Sequence, residues 1–149
     1  MITAVFDTNV VISGVLAPNG APGKLLNAIL DGQCQPVVTD SILAEYEDVL
    51  CRPKFRFSIG KIHPLLDAIR VRAVFAPFVP VSLKDVLSDP DDIIFLEAAL
   101  SLQVPIVTGN TRHFPKHSIH GIPIISPAAF LARLNTDGGH PSDRPRFAS

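Results

Sequence analysis

Asp7 is the first side chain whose position favours chemistry. It follows residues 2–6, a short apolar run that is typical of a strand buried on both faces. Ligands of open α/β sheets bind beyond the carboxyl ends of the strands, where a carboxylate can ligate a metal ion or act as a nucleophile. The structural alternative is that Asp7 and Asn9 only cap the next helix.

A second acidic group precedes another apolar run. Asp89, Asp91 and Asp92 come just before residues 93–102, and Pro90 suits the first helical position. The helix dipole favours acids there by about 0.3–1 kcal/mol each, which accounts for one or two of them. Three carboxylates repel one another, so the segment indicates a cation nearby.

Further polar candidates lie on a predicted helix and after a later predicted strand. Glu45 and Glu47 flank an apolar stripe on opposite sides of a helix that follows the cap residues 39–41, and the pattern leaves open which one points into a crevice. Thr108 and Asn110 follow the apolar run of the later strand. The stripe consists of Ile42, Leu43, Tyr46, Val49 and Leu50.

The segment that ends this helix alternates cations with aromatic rings. Arg52, Lys54 and Arg56 could contact phosphates, while Phe55 and Phe57 could stack on bases, a signature of nucleic-acid binding. The alternative is a connecting segment whose rings dock on the core.

The elements that must position these side chains alternate between strands and helices. This alternation predicts an α/β fold, a three-layer α/β/α sandwich around a mostly parallel central sheet. We assign residues 1–134 to one domain and residues 135–149, which lack periodicity, to a C-terminal tail. Predicted strands span residues 2–6, 36–38, 78–81, 104–107 and 122–125, and predicted helices span residues 10–16, 21–30, 42–50, 62–73, 93–102 and 127–134.

Composition limits the classes of function. The 149 residues suit one domain, and the formal net charge of −1 means that any nucleic-acid contact must come from a local patch. The 2 cysteines form no CxxC pair, which argues against a zinc site or a disulfide framework and fits a reducing compartment. We find no signal peptide and no apolar run of about 18 residues, so we expect a cytoplasmic protein that contacts no membrane.

Four motifs in chain order resemble those of the PIN domain, the metal-dependent nuclease fold of many bacterial toxin–antitoxin toxins. They are Val5-Phe6-Asp7-Thr8-Asn9-Val10, Ile42-Leu43-Ala44-Glu45, Asp89-Pro90-Asp91-Asp92 and Val107-Thr108-Gly109-Asn110. The resemblance covers residues 1–134. Residues 52–55 and 109–114 are similar to the toxin branch of that family, the VapC-like toxins.

The resemblance implies which side chains form a site. Asp7, Glu45 and Asp92 match the first three acids of the family, which bind Mg²⁺ or Mn²⁺ at one edge of the sheet. The fourth acid falls at Asn110, a departure for which Asp89 or Asp91 could compensate. Thr8, Asn9 and Thr108 match polar positions that orient acids or waters, and the expected nucleic-acid contacts are Arg52, Lys54, Arg56, Arg112 and His113.

These residues imply a hydrolytic nuclease. Oxygen ligands favour Mg²⁺ or Mn²⁺ over zinc, and such an ion polarises a phosphodiester and lowers the pKa of a bound water. Asp92 or Asp7 would orient or deprotonate that water, so no covalent intermediate is needed. We predict a ribonuclease, the toxin of a toxin–antitoxin pair, with RNA as substrate and an antitoxin and a second copy of the chain as partners.

Two other functions stay open. Asn110 could mark a degenerate site that leaves an RNA- or protein-binding module. Asp7 could instead be a nucleophile, as in phosphoryl-transfer enzymes. A dehalogenase-like motif, however, needs an Asp where Asn9 stands, and receiver domains need a Lys where Thr108 and Gly109 follow the strand.

Overall fold

Short apolar runs form the strands of one sheet, and the amphipathic segments between them form helices. The computed structural model describes residues 2–77, 92–110, 118–119 and 121–136. The strands are β1 (Ile2–Phe6), β2 (Cys34–Val38), β3 (Val74–Phe75), β4 (Ile106–Val107), β5 (Ser118–Ile119) and β6 (Ile122–Ile125). The helices are α1 (Thr8–Leu16), α2 (Ala21–Leu30), α3 (Asp40–Leu50), α4 (Ile59–Arg72), α5 (Ile93–Leu102) and α6 (Pro127–Thr136), with a 3₁₀ turn at Pro53–Phe55.

The sheet has the strand order β3-β2-β1-β4-β6-β5. Neighbouring strands are parallel except for β5, which pairs with β6 in the antiparallel sense. The chain builds outward from β1 through β2 to β3 and then crosses to β4 on the other side of β1. The strand order therefore reverses between β1 and β4, and such a switch point opens a crevice at the carboxyl ends of the two strands.

Helices cover both faces of the sheet. Along β1, Ala4 and Phe6 belong to one buried cluster and Val5 to the other, because successive strand residues point to opposite faces. Residues of α2 and α6 fill the cluster around Phe6, whereas residues of α3, α4 and α5 fill the cluster around Val5. The predicted three-layer sandwich around a mostly parallel sheet is confirmed.

Several predicted elements have different ends in the structure. The helix expected from residue 62 begins at Ile59. The sequence pattern does not indicate this first turn, because residues 59–61 are exposed and carry no apolar period. The strand expected from residue 104 begins at Ile106, since the Val104 N–H still donates to the Ala99 carbonyl of α5, with an N···O distance of 3.0 Å. The strand at Val74–Phe75 was not predicted, and the predicted strand 78–81 lies outside the described residues.

No helix in the described part of the chain is both long enough and apolar enough to cross a membrane.

Candidate functional site

Asp7 lies at the switch point of the sheet. It directly follows β1, and its backbone N–H donates to the Val107 carbonyl at the end of β4, with an N···O distance of 2.9 Å. This bond places Asp7 beside Thr108, the residue that follows β4. Both side chains are buried, with Asp7 5% and Thr108 4% exposed.

A network of hydrogen bonds converges on one oxygen of Asp7. The Thr108 hydroxyl donates to Asp7 Oδ2 at 2.7 Å, and the Asn9 amide donates to the same oxygen at 2.9 Å. Asn9 Oδ1 in turn accepts from the Gly109 N–H at 3.3 Å, and Thr108 Oγ1 accepts from the Asn110 N–H at 3.0 Å. These bonds tie the polar loop after β4 to the carboxylate after β1.

Helix capping does not account for the carboxylates of Asp7 and Asp92. Asp7 occupies the N-cap position of α1, but its side chain makes no capping hydrogen bond. Asp92 occupies the N-cap position of α5, is 4% exposed, and likewise makes no capping bond with its side chain. Both acids are therefore buried at helix starts for a reason other than satisfying the helix N–H groups.

Tyr46 links the three elements that carry the candidate acids. Its hydroxyl donates to the carbonyl of Phe6, the residue before Asp7, and its ring stacks on Phe95 with centroids 6.5 Å apart. Burial and the nearby charge of Asp7 both raise the pKa of Tyr46. Phe95 lies one turn beyond Asp92 on α5, so the end of β1, the middle of α3 and the start of α5 meet around one ring.

The sequence pattern predicts Tyr46 only as a member of the apolar stripe of α3. The side chain is 1% exposed, which agrees with that assignment, but the period of a helix says nothing about its hydroxyl. A buried tyrosine hydroxyl usually has a hydrogen-bond partner, and this rule is the signal that could have identified it as a link to a backbone carbonyl.

Glu45 and Glu47 occupy different environments on α3. Glu45 is half-buried, immediately before Tyr46. Glu47 is exposed and lines a surface groove of about 680 Å³ together with Arg52 and Arg70. Burial thus distinguishes the two glutamates that the helical pattern left equivalent.

The described residues do not present a complete ligand set for a metal ion. Within those ranges, no three His, Cys, Asp or Glu side chains are grouped so that they could hold one. The Thr8 hydroxyl, next to Asp7, is buried and has no hydrogen-bond partner among the described residues. The other predicted site residues, Asp89, Arg112 and His113, lie outside the described residues, as does Asp91.

The rings of the basic segment are used for packing. Phe55 and Phe57 are partly buried against the core and stack on each other, with centroids 5.7 Å apart and an interplanar angle of 9°. The Lys54 ammonium lies 5.0 Å from the centroid of the Phe55 ring, and Arg52 pairs with Asp48 at 3.3 Å. The two rings thus dock on the core, as the alternative interpretation of this segment predicts. The role of the three exposed cations in nucleic-acid binding stays a prediction.

Comparison with known proteins identifies the family. The PIN domain model matches residues 3–112, a range that contains Asp7, Glu45 and Asp92. The "Uncharacterized protein MJ1680" of Methanocaldococcus jannaschii is 32% identical over 110 residues, which are 73% of this chain and 71% of that protein. No solved structure gave a significant match. Because the family model covers more than half of the chain and includes the buried network at the switch point, this chain belongs to the PIN domain family.

Proposed function

We propose that the chain is a metal-dependent ribonuclease that hydrolyses phosphodiester bonds. PIN domains are generally nucleases and typically use divalent metal ions. The observation that carries the proposal is the bonding of Asp7, a buried carboxylate held by Thr108 and Asn9 at the switch point of the sheet. A carboxylate that is buried and fixed in this way, and that does not cap α1 with its side chain, is suited to hold a ligand.

The donor chemistry fits a hard divalent cation. The family resemblance implies Asp7, Glu45 and Asp92 as its ligands, and all three offer oxygen atoms, which Mg²⁺ and Mn²⁺ prefer. Because no three acids of the described residues are grouped for a metal ion, these side chains would have to draw together around it. When bound, the ion supplies charge that polarises a phosphodiester and acidifies a water. Because like-charged carboxylates repel one another, the same ion would also offset the cost of gathering them.

The protein's own groups then position the reaction. Thr108 and Asn9 donate to the same oxygen of Asp7, which fixes the rotation of that carboxylate about its Cβ–Cγ bond. Asp92, buried at the start of α5, would orient or deprotonate the attacking water. Asn110 would offer a carboxamide where the family has a fourth acid, and a carboxamide oxygen can still accept a hydrogen bond from a water.

The toxin assignment is the finer part of the proposal. It is supported by the likeness of residues 52–55 and 109–114 to the toxin branch of the family. The partners would be RNA as substrate, an antitoxin that covers the acidic crevice, and a second copy of the chain.

An RNA cleavage assay with Mn²⁺ tests the proposal. We expect the purified chain to cut a labelled RNA, EDTA to abolish cutting, and Asp7→Asn to lower the rate at least about 100-fold because a fixed charge at the reacting centre is lost. Asp67→Asn is the matched control, because Asp67 is an exposed acid on α4. Full activity in EDTA, or equal rates for both variants, would remove the mechanism.

A second candidate is a degenerate PIN domain that binds RNA or protein without cutting. It is favoured by the absence of a metal-binding group of acids within the described residues and by the amide at Asn110. Calorimetry separates the two functions: a heat of Mn²⁺ binding that Asp7→Asn abolishes supports the nuclease, whereas RNA binding without any Mn²⁺ binding supports the degenerate module.

A further inference from the structure

A cavity of about 330 Å³ opens at the carboxyl ends of β2 and β3. The two strands are joined there by a hydrogen bond from the Ala76 N–H to the Val38 carbonyl, with an N···O distance of 2.9 Å. Because β2 is parallel to β1 and next to it, the cavity lies at the same edge of the sheet as Asp7. Its described lining residues differ from those that form the hydrogen bonds around Asp7 given above, namely Asn9, Thr108, Gly109 and Asn110.

The sides of the cavity are apolar. Phe75, at the end of β3, is 47% exposed and lines the cavity. Pro77, Ile94 and Ala98 line the same space. Such walls suit a flat ring with apolar faces, and an accessible phenylalanine can stack on any nucleic-acid base.

The charged groups that line the cavity are acids. Glu97 and Asp40 line it, and none of its described lining residues is a cation. Partial burial raises the pKa of Glu97. A phosphate would be repelled from this space, whereas a group with N–H donors would find acceptors in it.

We propose that this cavity binds one base of the RNA strand, and that it prefers guanine over uracil. The guanine ring would stack on Phe75, while its two adjacent N–H donors on the Watson–Crick edge would bond to the two carboxylate oxygens of Glu97. Uracil presents one N–H between two carbonyl oxygens, and the carboxylate would repel those oxygens. This inference rests on the proposed ribonuclease function, because it takes RNA as the substrate, and it adds a preference for one base.

The distance between the cavity and Asp7 suits a single RNA strand. Neighbouring strands lie about 4.8 Å apart, so the ends of β1 and β3 are separated by roughly 10 Å. Neighbouring nucleotides of one strand bridge such a distance. The base in the cavity would therefore belong to a nucleotide close to the cleaved phosphate.

Nucleoside binding to the full chain tests the cavity without depending on cleavage. Guanosine and uridine carry no phosphate, so neither requires a metal ion to approach the acidic edge. By NMR titration in EDTA, we expect guanosine to shift the signals of Phe75, Ile94 and Ala98 and to bind at least about fivefold more tightly than uridine.

Two pairs of variants define the contribution of each wall. Glu97→Gln should bring the two affinities within about twofold of each other, whereas Glu47→Gln, an exposed glutamate outside the cavity, should keep the preference. Phe75→Ala should weaken both nucleosides by about tenfold because stacking is lost. Val71→Ala, which removes a 79% exposed apolar side chain elsewhere, should change neither affinity.

Three results would overturn the proposal: equal affinities for the two nucleosides, a guanosine preference that survives Glu97→Gln, or Glu97-dependent binding of an arginine-rich peptide with no nucleoside binding. The test is also distinct from that of the nuclease. Guanosine binding by a chain that cannot cut RNA contradicts only the proposed function, whereas RNA cutting without guanosine binding contradicts only the cavity.

Discussion

At the scale of single residues, the hydroxyl of Tyr46 fixes the backbone that precedes Asp7. It donates to the Phe6 carbonyl from inside the core, where an unpaired polar atom costs about 1–3 kcal/mol. The same side chain packs its ring on Phe95, near the start of α5. We therefore regard Tyr46 as a positioning residue, which would affect Asp7 through the main chain rather than by touching substrate.

Tyr46→Phe tests this role with the ring retained. We expect the free energy of unfolding to fall by about 1–2 kcal/mol, since the Phe6 carbonyl loses its partner, and the RNA cleavage rate to fall several-fold at unchanged temperature. Urea unfolding and the cleavage assay measure the two effects.

Ser101→Ala is the control for Tyr46→Phe, because Ser101 also donates a hydroxyl to a carbonyl, that of Ala98, at 2.9 Å. It should cost less than about 1 kcal/mol and leave the cleavage rate unchanged. If both variants lower the cleavage rate equally, Tyr46 has only a structural role.

The sequence shows Asp7, Asn9 and Thr108 as polar residues that follow apolar strands, and the structure brings these three into one network. The sequence could predict that these three side chains lie close together, because polar residues that follow parallel strands lie at one edge of the sheet. The role of Tyr46 could not be predicted in the same way, since periodicity reports which residues are buried and not which atoms they bond. The choice between Glu45 and Glu47 also needed the structure, because both flank the same stripe.

At the level of the elements, two glycines permit close packing around α2: one lets α1 lie against α2, and the other lets α2 lie against the backbone of the turn before it. A Cβ atom on Gly14 would lie 2.6 Å from Leu26 Cδ1, and a Cβ atom on Gly23 would lie 2.1 Å from the Pro18 carbonyl oxygen. The second contact is with backbone, which cannot turn aside as a side chain can. Since α1 begins at Thr8, directly after Asp7, this packing also places the start of the site.

Gly23→Ala should destabilise the chain by about 3 kcal/mol, because the turn before α2 would have to shift to accept a methyl group. Gly60→Ala is the matched control: Gly60 lies in α4 with nothing within 4 Å of the added Cβ, so we expect a gain of about 0.5 kcal/mol. Urea unfolding measures both changes. Equal stabilities of the two variants would show that the turn before α2 tolerates the added methyl group.

Longer elements whose ends are marked by turn residues are the easier ones to predict from the sequence. The helix predicted at residues 21–30 agrees with α2 at both ends, because Pro18 to Gly20 and Asp31 to Gly32 mark them. The strand at Val74–Phe75 was missed because 2 residues cannot show an alternation. Such a strand is defined by its partner β2, which is tertiary information that local patterns do not contain.

At the scale of the whole molecule, topology brings distant parts of the chain to one edge. Asp7, Tyr46 and Phe95 lie in three different elements, yet they meet because β1 occupies the centre of the sheet and α3 and α5 pack on the same face. Strand–helix alternation predicted a mostly parallel sheet but not the strand order, since many orders satisfy it. The edge of the site could still be predicted, because all parallel strands end on the same side.

The proposed nuclease requires that Asp7, Glu45 and Asp92 together bind a divalent cation at this edge. This requirement can be tested with a crystal structure of the full chain grown with Mn²⁺, in which the ion is located by its anomalous scattering. We predict an Mn²⁺ peak bonded to carboxylate oxygens of all three residues and lost in Asp7→Asn crystals grown with the same ion. If the three side chains point to different places in those crystals, with no Mn²⁺ between them, the proposed metal site does not exist.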